Sequence, residues 1–231
     1  MRIGSGLGLI ALVAVLAVLE GTGPALAGCR SAPAPGVDWQ GCRKRNKILS
    51  GNDFSGANMA ETDLSGTVIE DADLSGAVLT KASLVRTKFA DSDLSEADLS
   101  KSEAIRAVFD GADLTGADLN RAMLFRASFA DADLGGASLD RAEFSRADFS
   151  GADLTDVDMR FANLSRATFV GARMNGVDLD TGWMFRADFA GTDLSGVRNL
   201  AQSQLDLACG NADTMLPAGL SRPAHWPCAP D

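Results

Sequence analysis

Large apolar residues recur at every fifth position from Leu49 to Leu194, without one insertion in between. A sample reads Ala107-Val-Phe-Asp-Gly, Ala112-Asp-Leu-Thr-Gly, Ala117-Asp-Leu-Asn-Arg. Thirty central positions fall in this register, and only Ala104 is not large and apolar. From Phe54 onward the residue two places before each is Ala, Thr, Ser, Gly or Val, Asn52 excepted. A period of five fits neither the 3.6 of a helix nor the 2 of a strand. With the first and third residues of a unit inward and the others outward, each unit forms one short side of a prism. Four units complete a coil, and stacked coils hydrogen-bond at the strand spacing of ~4.8 Å. The narrow interior admits a large side chain only beside a small one. At that spacing the rod is roughly 35 Å tall, about seven and a half coils.

Four sides per coil predict a second period of twenty. Phe89, Phe109, Phe129, Phe149, Phe169 and Phe189 carry it, and they should stack as one internal column. Aromatic rings pack well with centroids ~4.5–7 Å apart, which suits this rise. An outward column repeats at the same interval as Arg86, Arg106, Arg126, Arg146, Arg166 and Arg186.

The motif Ala-Asp-Leu-Xaa-Xaa, as in Ala112-Asp-Leu-Thr-Gly and Ala152-Asp-Leu-Thr-Asp, resembles the pentapeptide-repeat proteins. The resemblance implies an all-β fold, a right-handed quadrilateral β-helix (a pentapeptide-repeat solenoid), closed here by a short C-terminal helical or coil cap. It implies little about function, because the family's roles are scattered. Some members resemble DNA and protect topoisomerases. The register divides the chain into residues 1–27, a signal peptide; 28–48, an N-terminal cap; 49–198, the β-helix; and 199–231, a C-terminal cap.

The leader reads as Arg2 followed by an apolar run, Leu7 to Leu19, shorter than the ~20 residues of a membrane span. Ala25-Leu-Ala27 is a small-residue cleavage site that releases a chain starting at Gly28. Leu26-Ala-Gly-Cys29 also resembles a bacterial lipoprotein box, which makes Cys29 a lipidated membrane anchor. The four cysteines, Cys29, Cys42, Cys209 and Cys228, flank the repeats in pairs. An even count in an exported chain favours disulfides, and the layout suggests Cys29–Cys42 and Cys209–Cys228, although four cysteines permit three connectivities. Lipidation of Cys29 would strand Cys42. The expectation is therefore an exported protein, periplasmic or secreted, with a membrane-anchored lipoprotein as the alternative.

At the N-terminal end, Trp39 is placed to cover the open coil, since exposed coil ends present apolar surface and unpaired backbone. Arg43-Lys-Arg-Asn-Lys47 reads as a solvated basic face that would meet anionic lipid if Cys29 were lipidated. After Val197 the register is lost. Leu200 to Cys209 reads as one helix with Leu200, Leu207 and Ala208 on the coil and Gly210 as its stop.

Charge sharpens the picture. The net charge is −10, yet ten of the 21 basic residues line one wall. One edge carries Lys81, Lys101, Arg121 and Arg141, and the other the six arginines; Val85, Ile105, Met123, Phe125, Trp183 and Phe185 point out between them. Exposed aromatics rimmed by arginine are the mix enriched at protein interfaces. Arg86, Arg106, Arg126, Arg146, Arg166, Arg186, Arg121, Phe125, Trp183 and Phe185 are thus a candidate interaction wall for an acidic protein partner. The competing reading is that the arginine stems merely cover apolar surface. The opposite wall carries Asp53, Asp73, Asp93, Asp113, Asp133, Asp153 and Asp193.

Those aspartates are bait for a cation such as calcium, but Asp bonds its own turn, and the glycine-rich nonapeptide of calcium β-rolls is missing. No metal or cofactor is expected. A stacked acid column could also mimic DNA, so a topoisomerase-directed mimic is the second reading; export argues against it, and no nucleic acid is expected. The one histidine, His225, sits in a proline-rich tail, and no nucleophile–base chain or phosphate loop accompanies it. Asn163-Leu-Ser165 matches a glycosylation sequon, a motif too short to weigh. The sequence describes a non-enzymatic scaffold.

Overall fold

The computed structural model describes residues 28–228. The expected leader at 1–27, with its cleavage site, lies outside them. Backbone bridges join residues twenty apart, Asp53 to Asp73, Asn58 to Val78, Asp63 to Ser83, Val68 to Lys88, all parallel. Four such bridges per coil define four sides. Each bridge is isolated, so the described coils contain no longer strand.

One unit shows why five residues suffice. Ala112 N–H closes a turn onto Phe109 C=O at 3.0 Å. Asp113 N–H reaches Ser92 C=O one coil away at 3.0 Å. On the other side Leu114 and Gly116 N–H reach Asp133 C=O and Gly135 C=O at 2.6 and 3.0 Å. The fifth N–H, of Thr115, points out of the ladder and is taken by Asp113 Oδ1 at 2.9 Å. Every donor of the unit has a partner, as buried backbone requires. The aspartate of Ala-Asp-Leu is therefore a turn-closing residue before it is anything else.

Inside, Ala112, Leu114, Ala117 and Leu119 are essentially inaccessible. The phenylalanine column runs from Phe89 to Phe189 with successive centroids 4.9 to 5.1 Å apart and planes within 9° of parallel. Atoms in contact sit ~3.5–4 Å apart, so rings at this spacing must slide past one another rather than eclipse. Phe144, from the adjoining side, sets its edge on Phe129 and Phe149 at 5.9 and 5.1 Å.

The coils begin earlier than the register indicates. Bridges Asp38–Asn58 and Arg43–Asp63 each start within 28–48, the stretch assigned to a cap, and pair it with the next coil. Trp39 fills a central slot there, buried to 1% and edge-on to Phe54 at 5.3 Å. Lys44 takes the next slot with its ammonium 3.6 Å from the Trp39 ring centre, and burial lowers its pKa, with Lys47 adding to the effect. A tryptophan and a lysine in place of leucines hide the coil from a pattern search.

The C-terminal end also differs from expectation. The helix α1 is a single turn, Gln202–Leu205, and its buried residue is Leu205; Leu207 is exposed. Pairing then resumes, with bridges Asp188–Cys209 and Asp193–Met215, so separations of 21 and 22 residues in place of twenty break the count without breaking the ladder. Gly210 is no helix stop: a Cβ there would overlap the Trp226 ring lying on it. Trp226 Nε1 donates to Ala208 C=O at 2.8 Å, and the His225 ring nitrogen shares that oxygen at 3.0 Å.

Cys29 is bonded to Cys42 and Cys209 to Cys228, with Cα separations of 5.4 and 5.5 Å. Each closes one end of the rod, and such bonds persist in oxidising surroundings. A sulfur held in a disulfide carries no thioether, so the Cys29–Cys42 bond and anchorage through Cys29 exclude one another. Among the described residues no helix is long and apolar enough to cross a membrane.

Candidate interaction wall

The bridge order places the candidate residues together on one side of the rod. Arg86, Arg106, Arg126, Arg146, Arg166 and Arg186 occupy one corner column, with φ from +55° to +62°. Lys81, Lys101, Arg121 and Arg141 occupy the corner at the other edge, also left-handed. A left-handed backbone costs an ordinary residue roughly 1–2 kcal/mol and glycine almost nothing. Gly66, in the arginine column, and Gly116, beside the acidic wall, show the unstrained solution. The corners bordering the acidic wall mostly adopt it; those of the basic wall do not. Arg106→Gly is expected to stabilise the fold by about 0.5–1 kcal/mol, whereas Arg106→Ala, which keeps the Cβ, should not. Urea unfolding of the two variants separates backbone strain from lost charge.

The wall between these corners is apolar where it is most exposed. Trp183 is 55% accessible and Phe185 43%, while Phe125, Val85 and Ile105 are half-buried. Phe161 was not among the sequence candidates, yet it takes the corner slot above Arg141, is 46% accessible, and lies 4.9 Å under the Arg141 guanidinium. Its signal was its place in the Lys81–Arg141 column. Arg166 approaches the Phe185 ring at 6.0 Å. At the C-terminal end the wall continues into a shallow groove lined by Phe185, Arg186, Asp206, Leu207, His225 and Cys228.

At the edge of this wall Lys81 and Arg141 sit 3.3 and 2.7 Å from carboxylates of Glu61 and Asp140. Lys88, Arg160 and Arg173, on the other sides, sit 4.0, 2.7 and 3.0 Å from carboxylates of Glu70, Asp158 and Asp153. Among the described residues Arg86, Arg106, Arg126, Arg146, Lys101 and Arg121 have no carboxylate within 4.0 Å. Asn163, of the sequon, is embedded in the same wall: its amide donates to Glu143 at 2.9 Å, and its Oδ1 accepts from Ser165 Oγ at 2.6 Å.

The opposite column is built from turn-closing carboxylates. Asp53, Asp73, Asp93, Asp113, Asp153 and Asp193 each accept the N–H two residues on through Oδ1, at 2.8 to 3.0 Å. Hydrogen bonds from Ser55 backbone and side chain hold Asp53 below its ordinary pKa of 3.8; Thr155 does so for Asp153, against some desolvation, and Ser195 for Asp193. A carboxyl whose folded pKa is depressed stabilises the fold above its unfolded pKa, and that contribution fades as pH falls through the folded value. Thermal stability is therefore expected to decline below about pH 4. Asp153→Asn should make that decline shallower in a melting series from pH 5 to 2, to an extent set by roughly one carboxyl. Among the described residues no group of three His, Cys, Asp or Glu is arranged to hold a metal ion.

Fold and wall together define a class: a β-solenoid of five-residue sides with disulfide-closed ends and a surface that is basic on one side and acidic on the other. A family model for pentapeptide repeats matches eight copies over residues 36–71, 69–103, 105–141, 124–160 and 142–180. The chain belongs to the pentapeptide-repeat family. Among solved structures it is similar to HetL of the cyanobacterium Nostoc, a pentapeptide repeat protein involved in heterocyst differentiation regulation. They share 24% identity over 85% of this chain and 90% of that one, with a TM-score of 0.35. It is similar to full-length QnrB1, a plasmid-mediated fluoroquinolone resistance protein, at 16% identity over 78% and 91%, TM-score 0.44. A pentapeptide repeat protein of the Arabidopsis thaliana thylakoid lumen shares 34% identity over 56% of this chain and 82% of that one, TM-score 0.36. No curated protein matches the chain.

Proposed function

We propose that this protein is an exported, non-enzymatic binding scaffold, a right-handed four-sided solenoid whose basic, aromatic wall takes an acidic protein partner. The observation that carries the reading is the row of exposed guanidiniums from Arg86 to Arg146, without carboxylate partners, beside exposed Trp183, Phe185 and Phe161. Desolvated aromatic and arginine anchors supply most of an interface's energy, and flanking charges steer the encounter. The two disulfides fit a life outside the reducing cytoplasm. They also count against a DNA mimic working inside the cell, and the turn bonds of the aspartate column give its acids a structural purpose.

The test is binding of a polyglutamate probe, followed by fluorescence anisotropy, with wild type and the Arg106→Glu/Arg126→Glu/Arg146→Glu variant. Wild type should bind with an affinity that falls as salt rises, and the triple variant should lose at least about tenfold, which is 1.4 kcal/mol. Equal binding by the two proteins overturns the reading.

A further inference from the structure

We infer that a second copy of this chain docks its acidic wall on the basic wall, so that the rods associate side by side. The inference rests on the reading of the basic wall as a binding face and names its occupant. Arg86, Arg106, Arg126 and Arg146 lie one per coil and are exposed. Asp73, Asp93, Asp113 and Asp133, on the opposite wall, also lie one per coil, and no Lys or Arg sits within 4.0 Å of them among the described residues. Each uses Oδ1 for its own turn, which leaves Oδ2 without a hydrogen bond among the described residues.

The column itself shows what that second oxygen accepts. Arg173, standing where an eighth aspartate would, places Nη1 3.0 Å from Asp153 Oδ2. A guanidinium from a neighbouring rod meets the same chemistry at the four positions below.

Pitch turns these pairs into an interface. Both columns are rungs of the same ladder, with a rise read from the phenylalanine stack as 4.9 to 5.1 Å per coil. When one arginine is in register with an aspartate of a neighbouring rod, the next three are too. A single exposed ion pair contributes little, because two long side chains must be ordered for it. Four pairs fixed on rigid, commensurate ladders share one alignment cost. An extended acidic peptide lacks this match, since its same-side residues repeat every ~6.6–6.8 Å. Because the two docking walls are opposite sides of one rod, the contact is heterologous, and each added copy exposes a fresh wall. The result is an open series rather than a closed dimer.

Two variants test this without disturbing the fold. Replacing Arg86, Arg106, Arg126 and Arg146 by glycine leaves residues suited to those left-handed corners, as Gly66 already is. Replacing Asp73, Asp93, Asp113 and Asp133 by asparagine keeps the turn bond, as Asn58 and Asn163 already do, at 3.3 and 3.1 Å. Sedimentation velocity should show wild type growing with concentration at about 20 mM salt and reverting to monomer at about 500 mM. Each variant alone should stay monomeric at both. Mixed one to one, the two should give a discrete heterodimer, because only one competent pair of walls remains. Wild type that stays monomeric at low salt, or an asparagine variant that associates as wild type does, overturns the inference. If in either case the polyglutamate probe still binds, the basic wall remains a binding face and only its occupant is wrong. A glycine variant that matches wild type in both assays removes both.

Discussion

Deleting Gly135 is expected to unfold the rod, while Leu134→Ala costs only about 2–5 kcal/mol. Leu134 is fully buried, and its N–H reaches Asp153 C=O at 2.8 Å, a bond that alanine keeps. The substitution empties one slot and leaves the register alone. The deletion moves every later residue back one place. Ser138 and Asp140 then fall in the slots of Ala137 and Leu139, Glu143 in that of Ala142, and Asp148 in that of Ala147. Each carboxylate would be buried without a partner, at a cost of several kcal/mol apiece. A solenoid has no second core to fall back on, since each coil contacts only its neighbours. Far-UV circular dichroism and thermal melting distinguish the two variants. Equal losses would contradict the stacked-coil arrangement.

Phe129→Ala is expected to cost about 3–5 kcal/mol, and Phe129→Leu about 1–1.5. Phe129 is enclosed by Phe109 at 4.9 Å, Phe149 at 5.0 Å and the edge of Phe144 at 5.9 Å. Truncation to alanine opens a void between two rings held apart by ladders that cannot close, because the coil spacing is fixed by backbone hydrogen bonds. Leucine is the usual central residue of the other sides, so it fills the slot and forfeits only the aromatic pairing, ~0.5–1.5 kcal/mol. Denaturant midpoints at unchanged slope measure both values. An alanine variant no worse than the leucine one would mean that the column is not close-packed.

How much of this was legible follows from what the interior tolerates. Between Leu49 and Leu194 the inward slots, Asn52 and Ala104 excepted, are filled by residues whose size reveals their place, so the coils and the phenylalanine column could be read directly. At Trp39 and Lys44 the slots hold residues that usually mean something else, so in the sequence the first coil reads as a cap. Beyond Val197 the ladder tolerates extra residues in its corners, as Asp188–Cys209 and Asp193–Met215 show, and the count failed while the pairing did not. The basic wall was visible as columns. Its left-handed corners were not, because arginine at a corner gives no local sign of the backbone it sits on. The aspartate column was legible as turn-bonding, because Asp favours its own turn; which N–H it takes follows only once the other four donors of the unit are accounted for.

The fourfold coil makes chain length and surface layout separate variables. Inserting five residues anywhere among the repeats adds one side, keeps every inward slot filled, and turns everything beyond it by a quarter revolution. The arginine column would then break at that point and resume above the neighbouring side, and an insertion between Phe89 and Phe189 breaks the phenylalanine column with it, forfeiting one aromatic pair, ~0.5–1.5 kcal/mol. Twenty residues restore the phase and simply lengthen the columns by one charge. Small duplications in such a gene thus rewrite which charges face the same way at the cost of one break in the aromatic column, so surface patterns can be reshuffled in quarter-turn steps.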